Sequence, residues 1–268
     1  MICFSFGNEI CVFKRFLEVE RILGEIRKNN KGTLMKIIRY NGKSDVDIEF
    51  LDDFHYIKRN QLYANFVSGA VKNPYDRTVY GVGYIGVGEY KPSINKKNTQ
   101  EYDLWKNMLE RCYCEKRRHR AKTYINCKVC EEWHNFQNFA KWFHENKFEC
   151  EDRLHVDKDI IKAGNQVYCP QYCLLVPQKV NVLFVNKSNN RGLPNGIHKY
   201  GNKYTAKYNH SELGSYNTLE EAYEIYAKEK KKEMIRVANE YKSALPKRIY
   251  DYIVNYEVKI ENDKNYAA

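Results

Sequence analysis

Residues 153–181, RLHVDKDIIKAGNQVYCPQYCLLVPQKVN, carry side chains that could cleave a phosphodiester bond. His155, Asp157 and Asp159 alternate along an apolar run, so a β-strand would place all three on one face. Lys158 would point the other way unless the strand ends there. Carboxylate oxygens at such a strand end are hard ligands that suit Mg²⁺ or Mn²⁺. The stretch therefore predicts a metal-assisted hydrolytic site at a turn.

A helix supplies the second half of this predicted site. The run CLLVPQKVNVLF predicts a strand and then a helix that begins after Pro177, with Asn181 one turn in. Strand, loop and helix would bring Asp157 and the Asn181 amide together around a metal ion that polarises a scissile phosphate. The alternative interpretation is an ordinary polar turn, in which the aspartates pair with Lys158 or Lys162.

Several motifs around this stretch resemble a known family. The segments GVGYIGVGEYK, VCEEWHNFQNFAKWF, HVDKDI, GNQVY and VPQKVN are similar to those of phage-encoded HNH homing-endonuclease-like proteins. The resemblance covers roughly residues 20–186. It implies a ββα-metal (His-Me finger) core that hydrolyses DNA with a divalent metal ion, Mg²⁺ or Mn²⁺.

The resemblance also implies roles for individual residues. Asp157 would be the first metal ligand, Asn181 the helical second ligand, and Asn165 the residue that orients the loop. The family places its general base, a histidine, beside the first ligand, but Lys158 stands there in this chain. A lysine needs a lowered pKa to accept a proton, so either Lys158 or His155 is expected to activate water.

Four of the nine cysteines bracket the same stretch. Cys127 and Cys130 form CKVC, and Cys169 and Cys173 form CPQYC. In a junction-resolving relative of the fold, cysteines in these places bind structural zinc, so Zn²⁺ is one expectation. The other is a set of buried thiols, because the first pair lies in an apparent strand. An odd number of cysteines without a regular framework indicates reduced thiols, as in a cytoplasmic protein.

Residues 193–240 resemble an AP2-like DNA-binding domain. The resemblance is carried by GIHKYGNKYTAKY and LGSYNTLEEAYEIYA. These segments predict three short strands, with turns at Gly201-Asn202 and around Ser211-Glu212, and a helix that begins at a capping box of Thr218 and Glu221. Strand periodicity places Tyr204, Ala206 and Tyr208 against the helix. A three-stranded sheet can enter the major groove of duplex DNA. The expected DNA contacts are His198, Tyr200, Lys203, Thr205, Lys207 and Asn209.

Charge favours a polyanionic partner. The formal net charge of the 268-residue chain is +11, and the basic excess is spread over all three thirds of the sequence. The cluster EKRRHRAK, at 115–122, offers Arg117, Arg118 and Arg120 as phosphate contacts, or else is a solvated loop. No run approaches the length of a membrane span, and the first residues lack the features of a signal peptide.

We therefore expect an α+β protein of three parts. Residues 1–75 form a small β-rich module, 76–186 an HNH-like nuclease core with helices, and 187–268 an AP2-like three-stranded sheet plus helix. The function predicted is that of a metal-dependent DNA endonuclease in the cytoplasm of a phage host. The alternative is a catalytically inactive HNH-like protein that binds double-stranded DNA as a regulator or decoy.

Overall fold

The chain folds into two compact units that contain both helices and sheets. The computed structural model describes residues 17–120, 124–162 and 164–266. One unit is Met1–Lys97 with His134–Gln137, and the other is Asn98–Trp133 with Asn138–Ala268. The α+β class predicted from the sequence is confirmed. The division into three modules stays a prediction.

The first unit is built on an antiparallel sheet in the order β1-β2-β3-β4. Val46, Ile48 and Phe50 alternate along β3 and are completely buried, as the period of two predicts. They pack with Met35, Ile37 and other apolar residues into one core. The elements are α1 (helical at 17–22), β1 (Ile26–Lys28), β2 (Leu34–Tyr40), β3 (Val46–Phe50), β4 (Ile57–Gln61), α2 (Tyr63–Val67), and the short strands β5 (Ser93–Ile94) and β6 (Lys97–Asn98).

The polar face of β3 carries a buried carboxylate. Asp47 is only 2% exposed, because Arg39 covers it with two hydrogen bonds of 2.8 and 2.9 Å. The backbone N–H of Asn60 donates a third bond of 2.9 Å. The Arg39 guanidinium lowers the pKa of Asp47 to about 2. The alternation of the strand therefore places Asp47 on the face opposite Val46, Ile48 and Phe50, but Arg39 shields it from water.

The glycine series of GVGYIGVGEYK is explained by close packing. A Cβ on Gly86 would lie 2.3 Å from Asn135 Oδ1, and one on Gly88 would lie 2.2 Å from Gln137 Oε1. The Gln137 side chain accepts from the N–H of Tyr90 at 3.0 Å and donates to its carbonyl at 2.9 Å. Glycine is needed at 86 and 88 because these amide side chains hold the segment at backbone distance.

The second unit contains the stretch that could carry chemistry. Its α3 helix begins after Thr99, whose hydroxyl accepts a hydrogen bond from the N–H of Tyr102 in the first turn. The basic segment that follows, 115–120, is helical. A solvated loop was one of its two interpretations. The elements up to residue 183 are α3 (Gln100–Tyr113), α4 (Glu115–Arg120), β7 (Lys128–Val129), α5 (Phe136–Asn146), β8 (Leu154–Asp157), β9 (Val167–Tyr168), β10 (Leu174–Pro177) and α6 (Gln178–Leu183).

The C-terminal part is a three-stranded antiparallel sheet packed on a long helix. Strands β11 (Ile197–Tyr200), β12 (Lys203–Tyr208) and β13 (Ser211–Tyr216) precede α7 (Leu219–Glu240) and α8 (Lys247–Asn255). The capping box of Thr218 and Glu221 is confirmed. The second turn falls at Asn209 and His210, both with positive φ, and not around Ser211 as expected. No described helix is both long and apolar enough to cross a membrane.

One hydrophobic core joins residues 154–183 to the C-terminal helices. Val176 and Val180 of the hairpin and α6 pack with Met234 of α7 and Ile253 of α8, all at most 2% exposed. Tyr252 of α8 also donates a hydrogen bond to the carbonyl of Ile160. Helices α7 and α8 therefore support the loop after β8, although they lie beyond the predicted boundary between residues 186 and 187.

Candidate functional site

The predicted strand, loop, strand and helix are present. β8 pairs antiparallel with β10, with Asp157 opposite Leu174 at one end of the ladder. α6 begins at Gln178, immediately after β10, as predicted. Asp157 at the end of β8 and Asn181 in α6 line one cavity of about 720 Å³.

Asp157 both ends the strand and turns the chain. Its Oδ1 accepts hydrogen bonds from the N–H groups of Asp159 at 2.8 Å and Ile160 at 2.7 Å. Within the described residues, both bonds go to this one oxygen. Burial raises the pKa of the carboxyl group, and the two N–H donors oppose that effect. A cation beside Asp157 would offset the same desolvation.

Lys158 is engaged on every side. It is 8% exposed, and its Nζ donates to Asp159 Oδ1 at 2.9 Å and Oδ2 at 2.8 Å. A third bond of 2.5 Å reaches the carbonyl of Asn165. An ammonium group has three hydrogens, so these acceptors use the full set. This geometry suits a lysine that holds the loop, because accepting a proton first requires losing one of these bonds.

Asn165 completes the same loop from the other side. Its Nδ2 donates to the carbonyls of Lys158 at 2.9 Å and Val167 at 2.8 Å. Its Oδ1 accepts from the N–H of Val167 at 3.1 Å. The side chain of each residue therefore donates a hydrogen bond to the backbone carbonyl of the other. Together they hold the two ends of the 158–167 loop close to each other, and both residues line the larger cavity.

His155 lies elsewhere. It pairs with Val176 in the ladder and lines a second cavity of about 210 Å³, beside Arg111 and Arg153. Burial and the two arginines lower the pKa of its imidazole, so the neutral form is favoured. No histidine is among the described residues that line the larger cavity. Of the two candidate bases, His155 is therefore on another cavity, whereas Lys158 lines the cavity of Asp157 and Asn181.

The larger cavity offers oxygen donors but no compact cluster of metal ligands among the described residues. Among the described residues there is no group of three or more His, Cys, Asp or Glu side chains that could hold a metal ion. Asp157 and Asn181 are the predicted ligands on this cavity, and its lining also includes the acidic residues Asp159, Glu261 and Asp263. Mg²⁺ keeps several waters and is commonly bound by one or two carboxylates plus substrate phosphates. The two residues fit such an ion in kind, with water and phosphate completing its shell.

The cysteines do not form the expected zinc cluster in the described structure. β7 pairs in parallel with β9, which brings Cys130 near Cys169 and Cys173. Cys127, at the other end of β7, lies near Cys112 instead. Cys127, Cys169 and Cys173 are buried, and burial raises the pKa of Cys173. These features match the buried-thiol alternative, because a two-residue strand separates Cys127 from the other three.

The outer face of the C-terminal sheet is mixed. Tyr200 is 60% exposed, its ring stacks parallel to His198, and the Lys207 ammonium lies 5.5 Å from its centroid. Lys203 and Asn209 are exposed. Thr205, however, is 2% exposed and bonds Ser215 at 2.8 Å. The prediction that Thr205 contacts DNA is corrected, because neighbouring strands cover this central position.

The inner face follows the expected pattern. Ala206 is completely buried in a core with Ile197, Ala222 and Tyr226, and Tyr204 and Tyr208 pack against that core. The alternation predicted for β12 is therefore confirmed on its apolar side.

The three arginines of α4 differ in their surroundings. Arg117 and Arg120 are exposed, whereas Arg118 donates to the carbonyl of Ile125. Arg117 also lines the smaller cavity, with Arg111 and Arg153. Arg111 and Arg153 were not anticipated as functional residues. Helical spacing could have identified Arg111, because it lies seven residues after Leu104 on the same face of α3.

Comparison with known proteins adds nothing to these motifs. No protein-family model, curated protein or solved structure matches the chain. The resemblances to HNH and AP2-like proteins therefore stay predictions drawn from the motifs.

Proposed function

We propose that the protein is a divalent-metal-dependent DNA endonuclease. The observation that carries the proposal is the shared position of Asp157, at the end of β8, and Asn181, in α6, on one cavity of about 720 Å³. Mg²⁺ or Mn²⁺, when bound, would polarise a phosphate and stabilise the leaving oxygen.

The chain's own residues hold and shape this site. Asp157 and Asn181 would be the protein ligands. Lys158 and Asn165 keep the loop closed through their reciprocal hydrogen bonds. Arg111 lines the same cavity and would attract a phosphate. We assign Lys158 a positioning role, because its three donors are already used.

Duplex DNA is the proposed substrate because of charge and the C-terminal sheet. The net charge is +11 and is not confined to a tail. Exposed Tyr200 and Lys203 lie on a three-stranded sheet of the kind that enters a major groove. Such a sheet would supply affinity, while the cavity would supply the chemistry.

A second candidate function is DNA binding without cleavage. It is favoured by one observation: the described lining of the larger cavity has no histidine, and His155 lines another cavity. A site without a general base relies on the metal ion alone to activate water, which lowers the rate by about 10²–10⁴-fold.

A cleavage assay separates the two. Purified full-length protein is incubated with supercoiled plasmid and Mg²⁺ or Mn²⁺, and nicked and linear products are measured. Asp157→Asn and Asn181→Ala should each lower the rate by about 100-fold or more, because a ligand to the ion is lost. Asp251→Asn, which removes a surface carboxylate of α8, is the matched control.

Each result has one meaning. Cleavage lost in both ligand variants and kept in Asp251→Asn supports the endonuclease. Absence of cleavage with either ion, while gel-shift binding of duplex DNA persists, selects the second candidate. Absence of both cleavage and binding refutes both functions.

A further inference from the structure

The smaller cavity has the composition of an anion site. It has a volume of about 210 Å³ and lies between α3 and β8 in the second unit. Three arginines line it, Arg111, Arg117 and Arg153, with one acidic residue, Glu110, and with His155. The arginines come from three different parts of the sequence. Arg117 belongs to the basic run at 115–122, and the fold brings Arg111 of α3 and Arg153 to the same cavity.

The floor of the cavity is apolar. Leu104 and Met108 of α3 and Val156 of β8 line it, and they are 7%, 1% and 7% exposed. Leu104, Met108 and Arg111 follow the spacing of one helical face, so the same stripe that packs on β8 also presents a guanidinium. Charges above an apolar floor are less screened than charges in open water.

Two of the three arginines have no ion-pair partner among the described residues. Neither Arg117 nor Arg153 forms an ion pair with a carboxylate in the described part of the chain, and Glu110 forms none either. Arg111 lies with its guanidinium carbon 5.8 Å from the Tyr124 ring centroid. The charges of Arg117 and Arg153 are therefore available to an anion in the cavity.

The identity of the ligand follows from its neighbour. Arg111 and Val156 line both this cavity and the larger one that holds Asp157 and Asn181. We propose that the smaller cavity binds a phosphate of the DNA backbone next to the phosphate that is cleaved. This inference rests on the proposed nuclease function, and it adds Arg117 and Arg153 as phosphate-binding residues beside Arg111. Planar guanidinium forks match phosphate oxygens in pairs.

The first test uses inorganic phosphate alone. In spectra of the arginine Nε–H groups of the full-length protein, phosphate should shift the signals of Arg111, Arg117 and Arg153 in a saturable way. The double variant Arg117→Gln/Arg153→Gln should lose the shift of Arg111. Arg248, on α8, is the internal control and should not saturate. Equal, non-saturating shifts of Arg248 and the three cavity arginines would overturn the site.

The second test uses duplex DNA. Arg117→Gln and Arg153→Gln should each weaken binding of a short duplex about 10-fold, since each loses a charge-assisted hydrogen bond. The slope of log affinity against log salt should fall by about 0.9 for each lost phosphate contact. Lys116→Gln removes the same charge from an exposed position of α4 that does not line the cavity. Equal effects of Lys116→Gln and Arg117→Gln on affinity and slope would refute a specific contact.

The two tests distinguish failure of the site from failure of the function. Saturable phosphate binding without any duplex binding would refute the nuclease proposal, and with it DNA as the source of the phosphate. Duplex binding and cleavage with no response at Arg111, Arg117 and Arg153 would leave the nuclease standing and refute the cavity. Loss of both phosphate shift and DNA affinity in the same variants supports the proposal.

Discussion

Replacing Lys158 with methionine would measure how much the 158–167 loop depends on one ammonium group. Lys158→Met keeps the length of the side chain but removes three hydrogen bonds, two to Asp159 and one to the carbonyl of Asn165. The Asp159 side chain is 44% exposed, so water replaces much of its lost partner. The Asn165 carbonyl lies in a residue that is 8% exposed and loses a charged donor. We expect a loss of about 2–3 kcal/mol, since leaving a buried acceptor unpaired costs about 1–3 kcal/mol.

The assay is urea unfolding followed by tryptophan fluorescence. All three tryptophans, Trp105, Trp133 and Trp142, belong to the second unit, so the signal reports on the part of the protein that contains the loop. A loss of 2–3 kcal/mol corresponds to a fall in Tm of about 5–10 °C for a unit of this size. The expected result is a clear shift of the urea midpoint to lower concentration.

A matched control lies in the same loop. Lys162 is exposed, and its ammonium lies 5.3 Å from the Tyr172 ring centroid without an ion pair in the described residues. Lys162→Met should cost less than about 1 kcal/mol, as is usual for exposed charges. If Lys158→Met and Lys162→Met unfold at the same midpoint, the positioning role of Lys158 is refuted.

Three further predictions concern other parts of the chain. The pKa of Asp47 is lowered from 3.8 to about 2, so its contribution to stability is present above pH 4 and lost as the pH falls towards 2; Asp47→Asn should flatten the pH dependence of unfolding in that window. Gly196→Ala should destabilise the protein by about 2–4 kcal/mol in thermal unfolding, because φ is +80° and the new Cβ would lie 2.2 Å from the Tyr226 ring. The control is Gly201→Ala, whose Cβ would meet no atom within 4 Å, and it should cost only about 1–2 kcal/mol. Tyr200→Ala should lower duplex affinity about fivefold by gel shift, if its exposed hydroxyl bonds a phosphate, and unchanged affinity would remove Tyr200 from the interface.

Local patterns in the sequence predicted the elements of the site well. Alternating apolar residues predicted β3 and the inner face of β12, and Pro177 marked the start of α6. The capping box of Thr218 and Glu221 predicted the start of α7. These signals are reliable because each depends on contacts within a few residues, which any fold must satisfy.

Local sequence patterns did not predict which side chains would be hydrogen-bond partners in the folded protein. Period-two alternation placed Asp47 and Thr205 on polar faces, yet Arg39 covers the first and the neighbouring strand binds the second. Lys158 was read as a candidate base, but its partner Asn165 is seven residues away across a loop. Burial depends on which strands and loops lie on either side, and that information is not local.

The sequence by itself determined the succession of strands and helices and the chemical types available at residues 153–181, because hydrogen bonding and apolar periodicity act over short distances. Only the tertiary structure decided which of those side chains share a cavity. Packing of α3 against β8 places His155 with Arg111, Arg117 and Arg153, while the turn at Asp157 places that carboxylate with Asn181. Two residues in one short strand thus line different cavities, because the neighbours that enclose each cavity come from distant parts of the chain.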